Sequence, residues 1–407
     1  MRSDVVAIIL AGGEGKRLHP LTRDRAKPAV PFGGRYRLID LVLSNFVNSG
    51  INKISVLTQY KAGSLMQHLA RGWQLSSQLG HYVAPVPATM NLGPRWFQGS
   101  ADAVLQNLDV IENEAPSYVC VFGADHIYKM DVRQMVRFHA DAGAAATVAV
   151  IPVPATATDQ FGIAECDAGK RVTGVREKPA VVPGATGHAL ASMGLYVFTT
   201  PALVSALVED ADRNDSKHDF GRDILPRFAA AGTLYAYDFS TNLVPDMTEP
   251  ERGYWRDVGT IDAYWQASAD LISVTPAFSL YNPSWPILSA FFPNPPAKFV
   301  FADREANRIG VATDSMVSEG CIISGGRVDR SILGPRVRVN SFSDVAESIL
   351  FDDVYVGRHA RIRRAIIDKG VNVPSGMEIG FDLEADRRRF TVSEGGVVVV
   401  PKGMKLA

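Results

Sequence analysis

Three glycines and three cations lie close together near the N-terminus, in Ala11-Gly12-Gly13-Glu14-Gly15-Lys16-Arg17 and then Lys27. Glycine removes the Cβ atoms that would keep a ligand off the backbone. Successive N–H groups of such a turn can cradle phosphate oxygens. Arg17 adds a planar fork of donors and Lys27 a point charge. The chemistry these types suit is holding an anionic phosphate chain. The spacing is not that of a Walker A loop, because no Gly-Lys-Ser/Thr follows, and the loop is too long for a dinucleotide fingerprint. The competing reading is a glycine-rich surface loop after an edge strand. Against it, the preceding run Val5 to Leu10 is wholly apolar, as a buried parallel strand would be.

Carboxylates recur at the ends of later elements. Asp125 follows the apolar run Tyr118 to Gly123 in Gly123-Ala124-Asp125-His126. There it is either a turn residue closing its own backbone or a ligand for a hard cation such as magnesium. Asp257 and Thr260 both stand just before an apolar-periodic helix, Ile261 to Ser273, so each is also a candidate helix cap. Glu177-Lys178 before Pro179 has the composition of a solvated strand end.

The elements that must position these residues alternate. A helix is expected over Asp40 to Asn48, stopped by Gly50. Lys53 to Leu57 reads as a strand leading to Gln59, and a second helix starts near Ser64. Trp96-Phe97-Gln98-Gly99-Ser100 closes a long loop, with Ser100 placed to cap a helix running to Asn113. Asp131 to Ala142 reads as a helix and Thr147 to Ile151 as a strand. Gly162 and Val172 to Glu177 fall in a strand pair around a turn. Ala191-Ser192-Met193-Gly194 opens another strand. Ser216 to Gly221 precedes a helix ending near Ala230. Such alternation gives a mostly parallel, Rossmann-like α/β sheet with helices on both faces and a ligand crevice at the strands' carboxyl ends.

At 407 residues the chain exceeds the size of one growing core. We divide it into a catalytic unit over 1–274, a connector over 275–305 and a second unit over 306–407. The connector is rich in proline and aromatic residues, too apolar for a floppy tether. A net charge of −1 gives no reason to expect nucleic acid or a membrane surface as partner. Three scattered cysteines, with neither a signal peptide nor a long apolar run, point to the cytoplasm.

The second unit repeats every 17 residues, at Met316, Leu333, Leu350 and Ile367, at Ile322, Val339, Val356 and Val373, and at Val328, Val345, Ile362 and Ile379. Steps of six, six and five describe three short strands per coil, a parallel β-helix of hexapeptide type. Its open end calls for a covering partner.

The run GGEGKRL–PLT–RAKPAVPFGG–YRLID, with GADHIYK, the EKP at Glu177 and Tyr254-Trp255-Arg256-Asp257-Val258-Gly259, resembles the nucleotidyltransferases that activate sugar 1-phosphates. Within them the chain is most similar to the bacterial glucose-1-phosphate adenylyltransferases, over nearly its whole length. The resemblance implies transfer of the adenylyl group of ATP to α-D-glucose 1-phosphate, with release of pyrophosphate, for glycogen or α-glucan synthesis. It implies Arg17, Lys27, Asp125 and Asp257 as catalytic residues, the two aspartates holding Mg2+. Gly12, Gly13, Gly15, Gln59 and Gly99 are then nucleotide-binding, and Glu177, Lys178 and Ser192 bind the sugar phosphate. It also implies a left-handed β-helix and a homotetramer.

Thr89-Met90-Asn91, Phe97 and Asp24 depart from the family's usual residues and bear on base preference and effector identity. Uridylyl or thymidylyl transfer is one alternative. A non-catalytic regulatory subunit is another, although it would be expected to lose Lys27, Asp125 or Asp257. An acyl-transferring β-helix would need a catalytic histidine, and the repeat offers His359. Arg25 and Arg37, with Arg388 from the tail, could form an anion site between the domains for a phosphorylated metabolite. Asp24 would favour a monophosphate there. The other reading is arginines paired with carboxylates such as Asp24 or Asp40.

Overall fold

The computed structural model describes residues 4–89, 96–180 and 187–406. The first apolar run forms β1 (Val5–Leu10), and it is apolar throughout because both of its faces are covered. Ala7 and Ile9 join one core, while Ile8 joins the other. Parallel to it run β2 (Lys53–Thr58), β3 (Tyr82–Pro87) and β4 (Tyr118–Gly123), with β2 and β4 flanking β1 and β3 outermost. The chain continues through β5 (His126–Tyr128), β6 (Ala146–Pro154), β7 (Gly162–Cys166), β8 (Val172–Glu177), β9 (His188–Thr199), β10 (Leu234–Asp238) and β11 (Trp255–Asp257).

Beyond β4 the Rossmann-like sheet becomes mixed. Strand β9 is antiparallel to β4, β6 and β7, and β7 to β8, while β10 returns parallel to β6. Strand β9 slips register between Ser192 and Tyr196, where Gly194 adopts φ +68°. That bulge opens the sheet where its two halves meet.

Helices α1 (Leu38–Asn48), α2 (Gly63–Gly72), α3 (Ser100–Leu105), α4 (Leu108–Glu114), α5 (Val132–Asp141), α6 (Thr200–Ala211), α7 (Leu225–Ala230) and α8 (Ile261–Ile272) complete the first unit. Residues of α1, α2 and α5 pack on one face of the sheet, and those of α3, α4, α6 and α7 on the other. The single helix expected from Ser100 to Asn113 is broken into α3 and α4, and Ser100 is not its cap. Gly99 holds the cap position. The Ser100 hydroxyl instead donates to Asp219 Oδ2 at 2.9 Å and accepts the Phe220 N–H at 3.0 Å. No helix among the described residues is long and apolar enough to cross a membrane, and all three cysteines are free thiols.

One buried group in this core makes stability depend on pH. His139, on α5, is fully buried between Thr147 and Thr199, with Nδ1 2.8 Å and Nε2 3.1 Å from their hydroxyls. The Thr199 hydroxyl donates to Ala144 O, so it accepts from Nε2–H. Burial pushes the imidazole down to about 4. A depressed histidine contributes stability that is complete above its unfolded value near 6.5 and is lost as pH falls toward the folded value. Between pH 7 and pH 5 the unfolding free energy of the wild type is expected to drop by about 2 kcal/mol more than that of His139→Gln. Denaturant titrations at the two pH values check this; parallel losses would remove the buried histidine as the cause.

The second unit is a three-sided parallel β-helix, consistent with left-handed winding. Its sides are stacks such as Ile322–Ser324, Arg338–Val339, Tyr355–Val356 and Asn372–Val373. Each coil turns at residues of positive φ that recur with the coil, for example Arg330, Glu347 and Arg364. The 17-residue spacing holds from Val328 onward, but the first coil needs correction. Val317 pairs with Leu333, Ile323 with Val339 and Ala312 with Val328, one residue fewer than expected. Thus Val317 and Ile323 point into the helix core where Met316 and Ile322 were expected. The physical reason is the tight Gly325–Gly326 corner, with Gly325 at φ +73°, which removes one residue from that turn. The first rung, Lys298–Val300, pairs with Ile322–Ser324 and lies within the stretch read as connector.

The two units share a core. Leu18, Leu21, Phe32 and Tyr264 of the first pack with Ile332, Ile349, Phe351 and Val399 of the second. Polar stitches reinforce it: Trp265 Nε1 donates to Glu347 O at 3.0 Å, and Ser393 Oγ donates to Asp262 at 2.6 Å. The segment between them is packed as well, with Phe278, Trp285 and Ala290 buried.

Candidate active site

The carboxyl ends of β1, β2 and β4 open into one cleft of about 730 Å³. Gly12, Gly13, Gly15, Arg17, Lys27 and Gln59 line part of it. Gly99, Asp125, Glu177, Lys178, Ser192 and Asp257 line the rest. All twelve catalytic, nucleotide-binding and sugar-phosphate candidates therefore meet in one place.

The turn that follows β1 needs glycine where it touches its own support. Gly15 takes φ +64°, and a Cβ there would stand 3.0 Å from the Lys27 Cβ and 3.1 Å from Thr22 Cγ2. Its carbonyl accepts the Thr22 hydroxyl at 2.9 Å, which fixes the loop over the lysine stem. Gly99 is required for a different reason, since a Cβ there would lie 2.2 Å from His218 O and 2.4 Å from Lys217 O. The chain crosses directly under the segment that carries Asp219. Gln59 turns its amide to the backbone of Phe97, accepting its N–H at 2.8 Å and donating to its carbonyl at 3.4 Å. Of Thr89-Met90-Asn91, the last two lie outside the described residues.

Asp125 and Asp257 are far apart in sequence and are joined by a two-stranded ladder. In it β11 pairs antiparallel with β5, setting Asp257 opposite His126. The capping alternative is realised by Thr260, whose hydroxyl accepts the Ala263 N–H, and not by Asp257. Between the two carboxylates sits the Lys27 ammonium, 2.7 Å from Asp125 Oδ2 and 3.3 Å from Asp257 Oδ1. Burial acts to lower the Lys27 pKa, but the two aspartates overcome it and raise the group above its ordinary value. Burial likewise acts to raise the Asp125 carboxyl, yet the charges of Lys27 and His126 hold it down at about 2.

His126 is the residue the sequence underweighted. Its Nε2 lies 3.6 Å from Asp125 Oδ1 and 4.0 Å from Asp257 Oδ1, and its ring packs edge-on against Trp255. Among the described residues its buried Nδ1 has no hydrogen-bond partner. Asp125, His126 and Asp257 together form an acidic cluster able to hold a divalent metal ion. Two carboxylates fit a hard cation that prefers oxygen ligands. Asp219, read only as part of a segment before a helix, also lines the cleft, where it accepts the Gly221 and Arg222 N–H groups. Its signal was the Asp-Phe-Gly step into that helix.

Lys178, which also lines the cleft, adopts φ +48°, an uncommon conformation for a non-glycine residue. Its N–H is held by Phe161 O at 3.0 Å. Strain of this kind persists where the surroundings over-determine it and clusters at functional sites.

Arg25, Arg37 and Arg388 do not line the cleft, but Arg25 and Arg37 lie close enough together for the charge of one to act on the other. Arg25 is buried and forms a bidentate pair with Asp368 of the β-helix at 2.8 and 2.9 Å. Arg37 donates to Ala29 O and Ser64 O at 3.3 Å, while Asp24 pairs with Arg23. Arg388 is exposed, and no hydrogen bond or ion pair links it to either arginine among the described residues. The β-helix cation that feels both of their charges is Lys369, itself bonded to Asp352 at 2.8 Å. His359 is a corner residue stacked on Phe342.

Comparison with known proteins places this arrangement in a class. Residues 6–274 match the family model described as nucleotidyl transferase, and residues 295–400 that of the GlmU-like C-terminal hexapeptide. The chain is 56% identical over 406 residues to a glucose-1-phosphate adenylyltransferase of Anaeromyxobacter sp. (strain Fw109-5), covering 99% of both chains. It is 53% identical to that of Cutibacterium acnes, covering 99% of this chain and 98% of the other. Against glucose-1-phosphate adenylyltransferase 1 of Vibrio parahaemolyticus identity is 48%, with 99% of both chains covered. The chain belongs to the glucose-1-phosphate adenylyltransferase family.

Proposed function

We infer that the protein transfers the adenylyl group of ATP to α-D-glucose 1-phosphate, giving ADP-glucose and pyrophosphate. The observation that carries this reading is the convergence of the glycine loop, Arg17, Lys27, both aspartates and Lys178 on one cleft. A phosphate oxygen of the sugar phosphate attacks the α-phosphorus of ATP. The bond from that phosphorus to the bridging oxygen breaks, and pyrophosphate leaves. No side-chain nucleophile is required, so the residues contribute positioning and charge neutralisation.

The backbone of Gly12, Gly13 and Gly15, with Arg17, holds the β- and γ-phosphates. Lys27 offsets charge that develops on the leaving group. Lys178 holds the sugar phosphate beside Glu177 and Ser192. Asp125 and Asp257 would hold Mg2+, which when bound supplies neutralisation of phosphate charge. Gln59 and Gly99 act on the nucleotide side by fixing the Phe97 segment.

Lys178→Ala is expected to raise the KM for glucose 1-phosphate by about tenfold or more with little change in the KM for ATP. Initial rates with each substrate varied check this, and the opposite split would misplace the sugar side. The reaction itself is tested by initial rates with ATP, UTP, dTTP and GTP against several hexose 1-phosphates. Activity confined to UTP or dTTP would overturn the assignment.

The exposed first rung of the β-helix, with Phe299 at 48% exposure and Phe301 just after it at 43%, supports self-association, for which we favour a homotetramer. A phosphorylated effector fits the seam between the units, where Arg37 makes no hydrogen bond to a carboxylate through its guanidinium among the described residues. Arg25 and Lys369 carry their own aspartates, so a single phosphate suits the seam better than two. Adding glycolytic intermediates to the same rate measurements tests it. We keep the division into catalytic unit, connector and β-helix, joined through their shared core, with product feeding α-glucan synthesis.

A further inference from the structure

We propose that Lys27 is a tethered counter-ion, occupying the enzyme's divalent-cation seat until a nucleotide's phosphates draw it away. This rests on reading Asp125 and Asp257 as the metal-holding pair, and adds the order in which that seat fills.

The ammonium lies inside the pair, 2.7 Å from one carboxylate and 3.3 Å from the other. Among the described residues these carboxylates are the only ion-pair partners of Lys27. Its side chain is just 10% exposed, and its stem is pinned by the Gly15 turn. The lysine therefore does not sample solvent as a surface cation would. A carboxylate pair that already carries one positive charge has lost half of its net charge for attracting a dication. A second cation in the same seat would be repelled by the first at close range.

The release route is in the same cleft. The glycine loop and Lys27 line one cleft, so phosphates seated on the loop offer the ammonium new anionic partners. Arg17 and Asp257 flank the same glycine, since a Cβ at Gly259 would lie 3.0 Å from Arg17 Nη2 and 3.2 Å from Asp257 Oδ2. The nucleotide therefore strengthens metal binding twice, through its own oxygens and by vacating the seat. By linkage the metal strengthens nucleotide binding equally. A metal ion alone should bind the free enzyme weakly.

Mn2+ is the probe, with free Mn2+ counted by electron paramagnetic resonance on the full-length protein. Without nucleotide, Lys27→Met is expected to bind Mn2+ at least about tenfold more tightly than wild type. α,β-Methylene-ATP, which cannot be cleaved at the reacting bond, should then improve Mn2+ binding less in the variant than in wild type. Lys27→Gln, uncharged but polar, repeats the test should methionine disturb the packing, and a thermal melt reports folding of each variant. Adding Asp257→Asn to the lysine variant separates the two ideas. If it leaves Mn2+ binding unchanged, the metal-pair reading falls and the proposal with it. If it abolishes binding while neither lysine variant binds more tightly than wild type, the pair stands and the counter-ion role is overturned.

Discussion

Asp125→Asn and Asp257→Asn should each lower pyrophosphate release by about a thousandfold or more at saturating magnesium. The expectation follows from charge, since asparagine keeps the size of the side chain and removes the anion. Asp125 is held at about 2, so it is ionised throughout the working range and the substitution changes its charge at every usable pH. Both residues are also held by backbone that does not depend on their side chains. Asp257 sits in the ladder with His126, and Asp125 ends the turn after β4. Unfolding should therefore stay cooperative, which circular dichroism melts would show. A near-normal rate in either variant would remove that aspartate from the metal pair.

The second large effect concerns the chain's architecture. A protein ending at residue 274 is expected to be insoluble or to lose cooperative unfolding, together with assembly and activity. Leu18, Leu21, Phe32, Tyr264 and Leu271 are buried against Phe278, Ile332, Ile349, Phe351 and Val399, all beyond the cut. Losing cover from a large apolar side chain costs about 1.5–3 kcal/mol. Several such losses approach the whole stability of a domain, about 5–15 kcal/mol. The same cut removes Asp368, leaving the buried Arg25 without its partner. Expression and light scattering of the shortened chain, with its melting curve, decide the matter. A soluble, fully active species of unchanged size would show that the second unit is dispensable to the first.

Local pattern carried much of this protein. The uninterrupted run Val5 to Leu10 required cover on two faces, which is enough to place it at the centre of a sheet. The glycine loop had to follow it, and the carboxyl ends of parallel strands had to share a crevice. The repeat in the second unit gave the β-helix from spacing alone, because inward-facing residues must recur with the coil. Near-neighbour turn chemistry was legible too: Thr260, one of the two candidate caps before α8, caps it through its own side chain.

What the sequence could not supply were relations between residues far apart along it. Nothing near Gly99 announces that carbonyls of Lys217 and His218 pass within reach of its missing Cβ, and this crossing decides where α3 begins. The first coil's shorter period required the pairing register, since Met316 and Val317 are both apolar and only hydrogen bonding tells which faces inward. Arg25 looks like a surface cation until folding sets Asp368 against it, 343 positions away. Likewise Lys27, Asp125 and Asp257 were each legible as charged groups at element ends. Their convergence, with the ammonium between the carboxylates, depends on a short ladder between β5 and β11. Periodicity and turn signals report what a residue does to its neighbours in sequence, whereas long-range electrostatics and packing exist only once the chain has closed on itself.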